Sequence, residues 1–150
     1  MSGRFLEDFA VGDVILSAEE YEMTPQRIAQ FAAEYDPQGI HLDPAVAQGS
    51  RFGGIIASDW HTLSVTMRLM VRSNIFGDAP VVGVGVDNLR YLAPVRPGDR
   101  LVARGEVLDV RPSRSHPERG YLVLRVTTLR EDGDPVISQE WTVLVPSRTA

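Results

Sequence analysis

One helix-like segment restricts the fold of this chain more than any other feature. It runs from about Ser58 to Ser73 and is apolar around most of its circumference, with Arg68 and Arg72 marking a polar edge. A helix with apolar side chains on nearly every face must be enclosed by other elements. Its apolar positions are Trp60, Leu63, Val65, Met67, Leu69, Met70 and Val71. We therefore expect this helix to lie at the centre of the domain.

Strand-like segments follow the helix and are expected to pack around it. Short turns rich in Pro, Gly and Asp separate these segments, which favours antiparallel pairing. They cover Val81 to Leu92, Arg100 to Val110, Tyr121 to Leu129 and Val136 to Val145, and Val11 to Leu16 forms another near the start of the chain. The pattern predicts an α+β fold in which a curved antiparallel sheet wraps around the central helix. With 43% hydrophobic content, residues 1–150 are expected to form a single domain.

Before the central helix, the sequence predicts a shorter helix followed by a tight loop. The helix runs from Thr24, its cap, to Tyr35, and ends because Pro37 pushes the preceding Asp36 out of helical geometry. Gly39 then allows the chain to reverse. Asp36 and His41 therefore lie on one tight loop, where a carboxylate and an imidazole can act on one water or proton.

Composition excludes several other classes of function. The chain has no cysteine, and all 15 of its basic residues are arginine, which excludes disulfides, thiolate nucleophiles and Schiff-base lysines. A net charge of -5, without a basic patch, disfavours nucleic-acid binding. None of the three histidines belongs to a metal-binding motif, so no metal is expected. The sequence shows neither a signal peptide nor a membrane-spanning run, and we expect a cytoplasmic protein.

Two stretches, Asp36 to Pro44 and Phe52 to Thr62, resemble the MaoC-like (R)-specific enoyl-CoA hydratases and acyl dehydratases, a family of hot-dog proteins. The family motif G-D-x-N-P-L-H-x-D has its Asp and His at the positions of Asp36 and His41. A later Phe-Gly-x-x-Ile-Ala segment of the family is matched by Phe52, Gly53, Ile56 and Ala57. The resemblance covers nearly the whole chain and implies a hot-dog fold.

The resemblance also implies an activity. Asp36 would act as the base, with His41 assisting, in the hydration of an enoyl thioester or the dehydration of a 3-hydroxyacyl thioester. Each residue alone can be explained as a structural loop residue, but their joint spacing favours a catalytic pair. Ser58, Asp59 and Trp60, at the start of the central helix, are expected to bind the substrate, with backbone N–H groups forming an oxyanion hole.

The expected substrate is an acyl-CoA or an acyl-carrier thioester, so coenzyme A enters as part of the substrate and not as a separate cofactor. Arginine is the only cation available for its phosphates, and Arg90, Arg96 and Arg114 are the candidates. The resemblance implies a homodimer, or a higher homo-oligomer, in which two sheets join edge to edge and the pocket lies at the subunit boundary.

Three positions depart from the family pattern. Asp59 replaces a glycine, Gln38 replaces an asparagine, and Gly39 replaces a proline. Asp59 can be a first-turn acid that complements the helix dipole. Alternatively, it can be the working carboxylate of a hot-dog acyl-CoA thioesterase. A non-catalytic acyl-thioester-binding subunit of a larger dehydratase is the remaining alternative.

Two further features are expected to be structural. His61, one turn into the central helix, is predicted to be a packed, hydrogen-bonded residue of the core or the pocket wall. Gly83 and Gly85 lie inside a strand pattern with no helix after it, which predicts a close backbone approach in the sheet and not a dinucleotide loop.

Overall fold

The computed structural model describes residues 4–80 and 82–148. Its helices are α1 (Pro25–Tyr35), α2 (Gly39–Leu42), α3 (Pro44–Gly49) and α4 (Asp59–Arg72), with a short 3-10 helix at Leu6–Asp8. Its strands are β1 (Val14–Leu16), β2 (Tyr21–Glu22), β3 (Val82–Tyr91), β4 (Arg100–Pro112), β5 (Arg119–Arg130) and β6 (Pro135–Pro146). Val81, the predicted first residue of one strand, lies outside the described residues.

The strands form one antiparallel sheet in the order β1-β4-β5-β6-β3, and β2 also pairs with β4. Side chains alternate along β4, β5 and β6, so one face of each strand is buried against α4. A side chain at Gly105 would lie 2.8 Å from Met70 Cε, so helix and sheet are in close contact there. This is the predicted α+β hot-dog arrangement.

The prediction that α4 is enclosed on all sides is wrong for a single chain. Its sheet-facing side is buried and includes Thr66, whose hydroxyl lies 2.6 Å from that of Thr128. The opposite side leaves Trp60 63%, Met67 50% and Val71 58% exposed. The apolar pattern of the sequence predicts that a helix face is buried, but it does not show whether the same chain or another one buries that face.

Strand β3 corrects a second prediction. Nothing lies within 4 Å of the position that a side chain would occupy at Gly83 or Gly85, so neither glycine marks a close approach. The strand forms the edge of the sheet, and its valines at 82, 84 and 86 are more than half exposed. This open apolar edge continues the uncovered side of α4. Among the described residues, no helix is long and apolar enough to cross a membrane.

Candidate active site

The end of α1 and the short helix α2 hold the two residues of the motif. Asp36 is the residue that ends α1, and its backbone N–H still donates to the Ala32 carbonyl. His41 belongs to α2 and is only 4% exposed. Its Nε2 lies 3.1 Å from Asp36 Oδ2, and its Nδ1 lies 2.6 Å from the Ile56 carbonyl oxygen. The loop therefore brings the predicted pair into direct contact.

These contacts indicate where the imidazole proton lies. A carbonyl oxygen only accepts hydrogen bonds, so His41 Nδ1 must donate to Ile56. In a neutral ring, Nε2 would then be an acceptor facing the Asp36 carboxylate, which is also an acceptor, so the two could not form a hydrogen bond. The pair is complementary when Nε2 also carries a proton and Asp36 is ionised. The site thus places a carboxylate, which can accept a proton, beside an imidazole nitrogen that can carry one.

Two neighbours hold Asp36 in its ionised form. Ser58 Oγ donates to Asp36 Oδ2 at 2.7 Å, and Gln38 Nε2 donates to Oδ1 at 2.7 Å. The Ser58 hydrogen bond is the larger cause of the lowered pKa of Asp36, followed by that of Gln38. Gln38, a departure from the family motif, thus has a direct role here. The sequence pointed to Ser58 only through the start of α4 and gave no sign that its hydroxyl reaches Asp36.

The start of α4 keeps two backbone amides available. Ser58 is the N-cap residue, but its hydroxyl is committed to Asp36 and makes no capping bond. The amides of His61 and Thr62 donate to the Ser58 carbonyl. No partner in the described part of the chain accepts from the amides of Asp59 and Trp60. Free donors at a helix N-terminus, where the backbone dipoles favour negative charge, can hold a developing oxyanion.

A cleft of about 270 Å³ opens beside these groups. Ile56, whose carbonyl fixes His41, lines it together with Asp59. Burial raises the pKa of the Asp59 carboxyl, while the His41 charge lowers it and the Asp36 charge raises it. The other lining residues are Arg51, Phe52, Tyr91, Leu92, Ala93 and Pro94. The predicted substrate-binding residue Asp59 therefore lies in this cleft, and Ile56 connects the cleft to His41. Asp36 and His41 themselves are not among the residues that line it.

The structure separates the three candidate arginines. Arg96 borders the cleft through a 2.7 Å hydrogen bond from Nη2 to the Phe52 carbonyl. Arg90 precedes the cleft residue Tyr91 in β3, where neighbouring side chains point to opposite faces of the sheet, and it does not line the cleft. Arg114 lies in the β4–β5 loop at the opposite end of the sheet, so one chain does not bring it to this cleft. Arg51 lines the cleft directly and was missed, because nothing in its local sequence marks it.

Two aromatic positions of α4 lie outside the cleft. Trp60 borders an open depression with Phe31, and its indole is largely exposed. His61 is buried, and its ring stacks on that of Phe31 at 4.7 Å between centroids. Burial lowers the pKa of His61, with the Arg27 charge as a smaller cause. The packed position agrees with the prediction, but Nδ1 finds no hydrogen-bond partner among the described residues.

A hot-dog sheet around one helix, with an Asp–His pair and free amides at the start of that helix, defines a class of acyl-thioester proteins. The family model described as "MaoC like domain" matches residues 8–127. The chain therefore belongs to the MaoC-like dehydratase family, whose members include hydratases and dehydratases that act on acyl thioesters.

Individual relatives agree with this assignment. An uncharacterized protein of Bacillus subtilis, YdeM, is 33% identical over 140 residues, which cover 93% of this chain and 97% of the relative. The crystal structure of a MaoC-like dehydratase from Rhodospirillum rubrum is 40% identical, with a TM-score of 0.92 over 99% of this chain and 100% of the other. An (R)-hydratase from A. caviae, 23% identical with a TM-score of 0.75, shares the fold over 93% of this chain and 99% of its own.

Proposed function

We propose that this protein is a carbon–oxygen lyase that hydrates enoyl thioesters or dehydrates 3-hydroxyacyl thioesters, with acyl-CoA as the first candidate substrate. One observation carries the proposal. The ionised Asp36 and the imidazole Nε2 of His41 lie 3.1 Å apart, so they can share one water or hydroxyl group. Membership of the MaoC-like family supports the same reaction class.

In the hydration direction, Asp36 accepts a proton from water as the water oxygen attacks C3 of the enoyl group. His41 holds the water through its Nε2 proton, and the Ile56 carbonyl keeps the ring in place. Negative charge moves to the thioester oxygen, where the amides of Asp59 and Trp60 stabilise it. The proton taken from water returns to C2 through the same pair, so no external acid is consumed.

The anionic parts of coenzyme A would lie at the mouth of the cleft. Arg51 lines the cleft, and Arg96 borders it through its hydrogen bond to the Phe52 carbonyl, so two guanidinium groups lie at this opening. Guanidinium groups bind phosphate through paired hydrogen bonds. Arg114 can contribute only from another subunit, because within one chain it lies at the far end of the sheet.

We also propose that the protein is a homodimer. The uncovered side of α4 and the exposed valines of β3 form one apolar surface along an open strand edge. An edge of this kind promotes aggregation unless another chain covers it. Light scattering should show a dimer or larger assembly, and replacing Val84 and Val86 with Asp should shift it toward monomer. A wild-type protein that is monomeric and fully active would contradict this proposal.

A thioesterase is the second candidate, because Asp59 places in the cleft a carboxylate that no other described residue pairs with. Two assays run together on crotonyl-CoA and longer enoyl-CoA thioesters separate the candidates. Loss of enoyl absorbance without free thiol indicates hydration, and release of free thiol indicates thioester hydrolysis. Binding of these thioesters without either change would instead indicate the non-catalytic binding subunit.

A further inference from the structure

The cleft contains two opposite charges that do not pair with each other. Asp59 lines it from the first turn of α4, and Arg51 lines it from the loop before that helix. Among the described residues, the Asp59 carboxyl makes neither a hydrogen bond nor an ion pair. The Arg51 guanidinium lies over the Phe52 ring, 4.9 Å from its centroid. A charge without a partner in a binding cleft acts on whatever ligand enters it.

The position of Asp59 fixes which part of a ligand it affects. If the thioester oxygen accepts from the Asp59 amide at about 3 Å, the acyl carbons next to it lie close to the Asp59 side chain. A carboxylate carried three or four carbons from the thioester would then lie on the order of 6 Å from the Asp59 carboxylate. Repulsion between two charges at that distance weakens binding roughly threefold in bulk water and roughly a hundredfold near a protein surface, so in a partly open cleft it weakens binding on the order of tenfold.

Without Asp59, the same place would favour an anion. The free amides at the start of α4 create a partial positive charge there, and the Arg51 guanidinium adds a full positive charge. The glycine usual at this position in the family has no side chain to oppose that field. Asp59 introduces a negative charge beside the amides and leaves their N–H groups available.

We infer that Asp59 is a specificity residue, which makes the cleft selective for acyl groups that are uncharged near the thioester and rejects those that carry a carboxylate there. This rests on the proposed binding of acyl thioesters at this cleft. It concerns binding, so it can be tested on saturated acyl thioesters, which the proposed lyase reaction does not consume.

The test compares butyryl-CoA with succinyl-CoA by calorimetry. Both are saturated and share the coenzyme A portion, and only succinyl-CoA has a terminal carboxylate. The wild type should bind butyryl-CoA about tenfold more tightly than succinyl-CoA. Asp59→Asn should reduce that preference to about twofold or less, whereas Asp59→Glu should retain most of it. Glu34→Gln is the matched control, because it removes an exposed negative charge on α1, outside this cleft, and should leave the preference unchanged.

The outcomes separate this inference from the proposed reaction. An equal affinity for the two ligands in the wild type, or an unchanged preference in Asp59→Asn, would overturn the inference. Tighter binding of succinyl-CoA would overturn it in favour of Arg51 as a carboxylate receptor. A protein that shows the expected preference but does not hydrate crotonyl-CoA would leave the inference standing and refute the lyase assignment. Failure to bind either thioester would refute both.

Discussion

Asp36 and Asp59 lie on two sides of the start of α4, and their surroundings shift their pKa values in opposite directions. Asp36 accepts from Ser58 and Gln38 and faces His41, and its pKa is lowered. Asp59 is the more exposed residue, yet its pKa is raised, because nearby protein desolvates its carboxyl and no donor among residues 4–80 and 82–148 compensates. Hydrogen-bond donors are the main cause of the lowered pKa of Asp36, and desolvation is the main cause of the raised pKa of Asp59. Such a divergence is a common mark of separate acid–base roles.

The most severe test of this difference removes each carboxylate in turn. Asp36→Asn should lower enoyl-CoA hydration by on the order of 10²-fold to 10⁴-fold, because it removes the positioned base. His41→Ala should have an effect of the same order. Asp59→Asn is the matched control and should stay within a few fold of the wild type on crotonyl-CoA. The measurement is kcat/KM, with circular dichroism to check the fold. Near wild-type turnover in both Asp36→Asn and His41→Ala would refute the assignment of these two residues as the catalytic pair.

Ser58 tests why the Asp36 carboxyl differs from that of Asp59. Ser58→Ala removes the larger cause of the lowered Asp36 pKa, so the acid limb of the pH–rate profile should move to higher pH. We expect a loss of about tenfold in kcat at neutral pH, the size of one hydrogen bond to a charged group. Ser64→Ala, which removes a hydroxyl on the exposed side of α4, should leave the profile unmoved. An unshifted acid limb in Ser58→Ala would mean that this hydroxyl does not control the base.

Parts of this site could be predicted from sequence, and others could not. Strand-like segments separated by short turns predicted the sheet, and the Asp36-to-His41 spacing predicted that those two side chains lie close together. The hydroxyl of Ser58 could not be placed, because it reaches a residue 22 positions away. Arg114 was grouped with Arg90 and Arg96 because sequence does not show at which end of a sheet a loop lies. The opposite pKa shifts likewise depend on hydrogen-bond donors at Asp36 and on desolvation at Asp59, which only the folded chain provides.

Stability should separate the two carboxylates as a function of pH. The pKa of Asp36 is lowered in the folded state, so its stabilising contribution is present at neutral pH and disappears as pH falls through that folded pKa. Asp36→Asn should cost about 1 kcal/mol at neutral pH, or roughly 2–4 °C in Tm, and nothing in strong acid. The pKa of Asp59 is raised, so ionising it costs stability at neutral pH. Asp59→Asn should therefore raise Tm slightly at neutral pH. Melting curves in which Asp36→Asn and Asp59→Asn shift Tm in the same direction would contradict the opposite pKa shifts of the two carboxyls.

The smallest expected change in turnover comes from restoring the residue usual in the family. Asp59→Gly keeps the backbone amide and removes a negative charge beside the developing oxyanion. If Asp59 is a first-turn acid that sets specificity, hydration of crotonyl-CoA should be kept or raised by up to a few fold. If Asp59 is the working carboxylate of a thioesterase, the same change should abolish release of free CoA thiol. Paired hydratase and thiol assays on Asp59→Gly and Asp36→Asn decide between these two roles of Asp59. Thioester hydrolysis by Asp59 would continue in Asp36→Asn, whereas hydration would be lost in that variant.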